Sequence, residues 1–198
     1  MNCLVTGGAG FIGSHLVEKL LFDGNRVTVL DDFSTGKKEN LHKNDNLTVV
    51  EGSILDSFEY KDIDIVFHLA ALTRPQVSIL YPALTNKTNI DGTLKVILGC
   101  LAYKVKKLVF VSSSSVYGEQ DIFPEREDSI PKPMSPYAIT KYVGEMYCKL
   151  YEKLEGLNYN AVRPFNVYGP RQNPAGGHAA AVPKFIQSIR NDESPNIT

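Results

Sequence analysis

The stretch Cys3 to Gly13, C-L-V-T-G-G-A-G-F-I-G, constrains the fold more than any other part of the chain. A short apolar run, Cys3 to Val5, ends in a turn through Gly7, Gly8 and Gly10, and a helical pattern begins at Phe11. A strand, a glycine turn and a helix in that order make a cradle for a phosphate group. Gly7 allows the tight turn, Gly10 lets the backbone approach a pyrophosphate, and Gly13 lets helix and strand pack closely. The first N–H groups of such a helix point at the anion. The spacing is G-x-x-G-x-x-G, not G-x-G-x-x-G, so on its own the turn also fits an ordinary strand-to-helix connection rich in glycine.

The pattern that follows favours the cradle. Phe11 to Phe22 places Ile12, Leu16 and Leu20 on one helical face, and Asp23-Gly24-Asn25 stops the helix. Arg26 to Leu30 reads as a second strand ending in Asp31-Asp32. Asp31 follows Gly7 by 24 residues, close to the ~20 at which an acid accepts the ribose hydroxyls of a bound dinucleotide. A carboxylate there repels a 2′-phosphate and so selects NAD over NADP.

Leu47 to Val50 and Asp64 to Leu69 read as the third and fourth strands, with a polar loop from Phe33 to Asn46 before them. The fourth runs into His68-Leu69-Ala70-Ala71, where small residues let a flat ligand lie on the backbone. His68 lies within an apolar strand and is expected to be packed and hydrogen-bonded, not a catalytic base. Residues 75 to 103 should be mainly helical, interrupted near Tyr81-Pro82. Lys107 to Val111 is the fifth strand and ends in four serines, Ser112 to Ser115. After a proline-rich loop, Ser135-Pro136 opens a helix from Tyr137 to about Leu154, and Asn160 to Arg163 is the sixth strand. Alternating strands and helices predict an α/β fold: a doubly wound parallel sheet of Rossmann type, strand order 3-2-1-4-5-6, with helices on both faces.

Composition excludes several classes of partner. A net charge of −1 gives no overall attraction for nucleic acid or an anionic membrane. There is no apolar run of membrane-spanning length, and Met1 leads almost directly into the first strand. Cys3, Cys100 and Cys148 sit in apolar patterns without metal-ligand spacing, so we expect reduced core thiols, no metal and a cytoplasmic location.

The chemistry concentrates on Tyr137 and Lys141, at i and i+4 on one helix face. An ammonium group beside the phenol favours the phenolate, which can take a proton from a sugar hydroxyl at neutral pH. A serine at the end of the fifth strand, on the ligand side of such a sheet, can hold that hydroxyl in line. Alone, Y-x-x-x-K also fits a surface tyrosine beside a solvated lysine.

On these residues the chain resembles the extended short-chain dehydrogenase/reductases, the NAD-dependent nucleotide-sugar epimerases and dehydratases, and within them the UDP-glucose 4-epimerases. The matching stretches are Thr6 to Gly13, Asp31 to Asn40, Phe67 to Ala71, Ser112 to Gly118, Ser135 to Lys141 and Arg163 to Gln172, in family order. The resemblance implies that Gly7, Gly10, Phe11, Ile12 and Gly13 meet the NAD pyrophosphate side. It places Asp31, Asp32, Ser34, Thr35, Gly36, Ser53 and Ile54 at the cofactor as well. Leu69, Ala70, Ala71, Tyr137, Lys141 and Pro164 would line the rest of the cofactor. Tyr137 would act as base on the sugar 4-hydroxyl while hydride passes from C4 to NAD; the 4-keto sugar would rotate and take the hydride back on its other face. Lys141 would also hold the nicotinamide ribose. Counting back from Val116-Tyr117-Gly118 makes Ser113 the catalytic serine and counting from the strand end makes it Ser114; Ser113 is preferred. Asn166 would contact the diphosphate, and Arg74 and Ser78 would reach the sugar alongside Ser113, Ser114 and Tyr137.

Three departures from the family pattern matter. Ser53 stands where an aspartate often touches the adenine. Ser114 and Ser115 stand where the 4,6-dehydratases carry an Asp-Glu pair, and two serines cannot supply the acid and base of an elimination. The chain also ends at Thr198, where relatives continue. Residues 1–175 are therefore expected to form the NAD-binding domain, and 176–198 the start of a truncated substrate-binding part. The alternatives are another nucleotide-sugar enzyme, such as a UDP-glucuronate epimerase or decarboxylase, and a non-catalytic NAD-binding sensor or scaffold. Apolar faces on Leu94 to Tyr103 and Met146 to Leu154 suggest a homodimer or, equally, burial against the sheet.

Overall fold

A parallel six-stranded sheet carries the chain, in the order β3-β2-β1-β4-β5-β6. The computed structural model describes residues 1–173 and 181–194. The strands are β1 (Asn2–Thr6), β2 (Arg26–Asp31), β3 (Leu47–Glu51), β4 (Ile65–His68), β5 (Lys107–Val111) and β6 (Tyr159–Val162). The predicted order thus holds, and each boundary lies within a residue or two of its expected place. The order reverses beside β1, so the connections leaving β1 and β4 run to opposite faces of the sheet and open a crevice at the strands' C-terminal ends. Their register pairs Thr6 with His68, which brings the glycine turn after β1 alongside the Leu69-Ala70-Ala71 run after β4.

Alternate residues of the central strands feed two cores. On one face, Leu4, Val66, Leu108 and Phe110 pack with Val96, Ile97, Cys100 and Cys148. On the other, Val5, Val27 and Val29 pack with Val17. The period of two in the strands therefore fixes which helices cover which face. Helix α1 (Phe11–Phe22) covers the second core. It stops where the Asn25 side-chain amide and backbone N–H both bond the Leu20 carbonyl. The first core lies under α4 (Gly92–Ala102) and α5 (Pro136–Glu155). All three cysteines are buried free thiols, as their apolar settings predict.

The helical region after β4 is more broken than the sequence suggests. It comprises α2 (Pro75–Leu80), α3 (Pro82–Asn86) and a π turn (Lys87–Asp91) that leads into α4. Pro75 and Pro82 each start a helix, where a missing N–H costs nothing. In the π turn the buried Asn89 turns inward and binds both the N–H and the carbonyl of Leu72, at 2.8 and 3.0 Å. Polar satisfaction within the fold, invisible to periodicity, sets that irregularity.

The chain divides into two compact units, Met1–Phe165 and Asn166–Thr198. The second contains helix α6 (Ala181–Arg190). The expected domain boundary at 175/176, and the parts of the closing segment at 176–180 and 195–198, lie outside the described residues. Among the described residues no helix is long and apolar enough to cross a membrane.

Candidate active site

The glycine turn has the backbone that its sequence demands. Gly7 takes φ +71°, and a Cβ there would lie 2.7 Å from the Ala70 nitrogen. A Cβ on Gly13 would lie 2.2 Å from the Gly7 carbonyl oxygen. A side chain at Gly7 would push the turn off Ala70, and one at Gly13 would push the helix off the turn itself. Gly10 caps α1 without a side-chain hydrogen bond, and the first turn holds no acid. The leading N–H groups, carried by Phe11, Ile12 and Gly13, thus receive no acceptor from a capping side chain and suit an external anion.

The Asp31 carboxylate sits at the end of β2, nearly buried. One oxygen accepts the Ala9 N–H at 2.8 Å and the other the Phe33 N–H at 2.9 Å. Burial raises its pKa, and the two N–H donors act against that rise. Each oxygen keeps a lone pair for a further donor such as a ribose hydroxyl. Gly36 lies against it, since a Cβ there would meet Ala9 and Asp31 at 2.9 Å. Asp32 accepts from both the backbone N–H and the hydroxyl of Ser34, which shapes the turn leading to Thr35. Ser53 follows β3 and its hydroxyl accepts the Leu55 N–H at 3.1 Å, while Ile54 points into the core. The residues present fit a dinucleotide: a side-chain-free cradle, an uncapped helix start and an acid at the next strand end.

The reactive residues converge at the end of β5. Burial raises the pKa of the Tyr137 phenol, and a hydrogen bond with Ser113 works in the opposite direction. Lys141 is also buried, and desolvation pushes its pKa down to about 8. Its Nζ donates to the Val111 carbonyl at 2.8 Å and lies 5.2 Å from the centre of the Phe110 ring. The Lys141 ammonium is thus held by the strand end, and of the two candidate serines Ser113 is the one whose hydrogen bond bears on the phenol. Its hydroxyl also donates to Ser115 Oγ at 3.1 Å and accepts the Ser115 N–H at 3.1 Å. Ser114 donates its N–H to the Pro164 carbonyl at 3.1 Å.

His68 is 1% exposed, with Nδ1 2.7 Å from Thr6 Oγ1 and Nε2 2.9 Å from Thr93 Oγ1. Burial first, and the Lys141 charge second, push its pKa down to about 3. It is a packed neutral histidine. Arg74 caps α2. Ser78 is 1% exposed and accepts the Tyr137 N–H at 3.0 Å. Asn166 opens the second unit.

Two residues outside the expected set hold the site together. The Glu145 carboxylate accepts from Ser112 Oγ at 2.5 Å, from Arg163 Nε at 2.9 Å and from Arg163 Nη2 at 2.6 Å. That fork ties β5, α5 and the end of β6 together. Glu145 lies four residues after Lys141, on the same helix face. That spacing was available in the sequence, but its partner Arg163 is distant in the chain.

A crevice-forming parallel sheet, with a glycine cradle at one lip and Ser113, Tyr137 and Lys141 at the other, defines a doubly wound dinucleotide-binding fold of the short-chain dehydrogenase/reductase kind. More narrowly, the chain belongs to the NAD dependent epimerase/dehydratase family, whose model matches residues 3–198. It is 40% identical over 199 aligned positions to a UDP-glucose 4-epimerase of Mycolicibacterium smegmatis, covering 96% of this chain and 63% of that protein. Among solved structures it resembles the UDP-N-acetylglucosamine 4-epimerase of Methanobrevibacter ruminantium in complex with UDP-N-acetylmuramic acid. That match has 46% identity and TM-score 0.96 and covers 99% of this chain and 64% of the other. It also resembles the UDP-glucose 4-epimerase of Thermotoga maritima with UDP-glucose, at 44% identity and TM-score 0.92, covering 98% and 64%. The chain thus spans just under two thirds of the length of these relatives.

Proposed function

We propose that the protein epimerises a UDP-hexose at C4 with NAD as cofactor, through a transient 4-keto sugar. The observation that carries this reading is the convergence of Ser113, Tyr137 and Lys141 at the end of β5, across from the Gly7–Ala70 cradle. NAD held in that cradle would supply a hydride acceptor and donor for C4. The chain's own residues handle the proton. Tyr137 takes it from the 4-hydroxyl and gives it back; Ser113 holds that hydroxyl and works against the rise in the tyrosine's pKa that burial causes. Lys141 is protonated at neutral pH, with its pKa at about 8, and donates to the nicotinamide ribose. Asp31 takes the adenosine ribose and disfavours a 2′-phosphate. Arg74 and Ser114 serve the sugar, and Asn166 is assigned to the diphosphate by the family resemblance alone.

We assign the cofactor site to residues 1–175 and a sugar-binding role to residues 176–198. Buried free thiols suit a reducing cytoplasm. We further infer a homodimer, because Leu98 and Tyr103 at α4 and Met146, Leu150 and Leu154 on α5 are exposed on helices that otherwise cover the core.

The similarity to a UDP-N-acetylglucosamine 4-epimerase favours a second reading for the sugar, an N-acetylhexosamine. The test supplies UDP-galactose, UDP-N-acetylgalactosamine and UDP-glucuronate in turn, each with NAD, and identifies the products. Conversion of either of the first two to its 4-epimer supports the proposal and chooses the sugar. Turnover of UDP-glucuronate alone overturns it in favour of a uronate epimerase or decarboxylase.

A further inference from the structure

The Tyr137 peptide is held by side chains on both of its polar groups. Its carbonyl accepts from Thr140 Oγ1 at 2.7 Å, and Thr140 Oγ1 in turn accepts from Asn89 Nδ2 at 3.0 Å. Its N–H donates to Ser78 Oγ at 3.0 Å, across 59 residues of sequence. Ser78 lies on α2 and is 1% exposed, and its own proton goes to the Pro75 carbonyl at 2.5 Å. The first turn of α5 therefore has two caps of different kinds. Ser135, next in the chain, accepts the Ala138 N–H at 3.1 Å, as an ordinary N-cap does. Ser78 accepts the N–H of the reactive residue itself from another helix.

A local cap restrains a helix end but leaves the end free to move as a body. A cap from a separate element fixes that end in space. We propose that Ser78 is a positioning residue: its buried hydroxyl anchors the Tyr137 backbone to α2 and so keeps the phenol against Ser113. This rests on Tyr137 being the base and reassigns Ser78 from the sugar contact that the family resemblance implies. A hydroxyl that is buried, donating to Pro75 and accepting from Tyr137, already has a donor and an acceptor within the protein.

The test reads the tyrosine directly and needs no turnover, so it stands whether or not the sugar chemistry is as proposed. The protein carries ten tyrosines; they are labelled with 13C at Cζ, the Tyr137 signal is assigned with Tyr137→Phe, and its titration is followed by NMR. Loss of the Ser113 hydrogen bond in Ser113→Ala should move the midpoint up by about 0.5 to 1 pH unit. Ser78→Ala should move it the same way, and the double variant should show no further shift. Ser135→Ala should lower the melting temperature as Ser78→Ala does, yet leave the Tyr137 midpoint where it is. A wild-type midpoint in Ser78→Ala, or a shift that adds in full to that of Ser113→Ala, overturns the proposal. Should Ser78→Ala not fold, amide exchange at Tyr137 decides. Amide exchange at Tyr137 in the unaltered protein gives a second check. Protection equal to that of the middle of α5 agrees with the anchor, and exchange as fast as at a frayed helix end contradicts it.

Discussion

At the scale of single residues, burial sets the electrostatics of this site. Tyr137, Lys141 and His68 are all taken out of water, and each has its charged form penalised. For His68 the folded pKa is about 3 against 6.5 in the unfolded chain. The unfolded chain therefore binds the extra proton between those values. Stability from His68 is complete above pH 6.5 and drains away as pH falls toward 3. Lys141, at about 8 against 10.5, also binds fewer protons in the fold, so stability rises with pH between those two values. Urea unfolding across pH should show both slopes, with the acid one flattened in His68→Asn and the alkaline one in Lys141→Met. Equal slopes in variants and parent would mean that these groups are more solvated than the structure places them. His68 also shows what a sequence can convey about a residue: its apolar strand setting indicated a packed histidine, while its two threonine partners, at positions 6 and 93, could be found only in the fold.

At the scale of elements, the order of strands, the glycine turn and the start of α5 were legible because each rests on a local rule. A turn needing positive φ selects glycine, and a helix start selects serine followed by proline. The broken α2–α3–π region and the Glu145–Arg163 fork were not legible, because both depend on polar groups finding partners far away in the chain. Two variants probe these two kinds of feature. Gly13→Ala puts a methyl 2.2 Å from a carbonyl oxygen in a turn without slack. We expect it to cost about 3 kcal/mol in urea unfolding and to weaken NAD binding; unchanged values for both would show that the turn relaxes. Glu145→Gln leaves the Arg163 guanidinium without its counter-ion at a pair that is mostly buried. It should cost about 3 kcal/mol, while the double variant Glu145→Met/Arg163→Met costs less than the single one. A double variant as damaged as the single would assign the loss to packing, not charge.

At the scale of the whole molecule, the proposed dimer and the chemistry depend on different surfaces. The exposed leucines and methionine lie on α4 and α5, whereas the reactive groups lie at the C-terminal ends of β1, β4 and β5. Leu150→Glu should leave the fold and NAD binding intact and halve the mass seen by light scattering; a parent protein that is already monomeric would contradict the dimer. The composition left the partner open in a way that the fold narrows: no charged surface or metal cluster was needed to find the site, only the order of the strands and where they end.

The most direct test of the central claim, that Tyr137 serves a hydride-transfer epimerisation, is proton NMR of the sugar anomeric signals. The purified chain and its Tyr137→Phe variant would each be given NAD and UDP-galactose. UDP-glucose should appear with the parent chain and form at least ~100-fold more slowly with the variant, while both bind NAD. Equal rates in the two proteins, or no conversion by a parent chain that holds NAD, would contradict it.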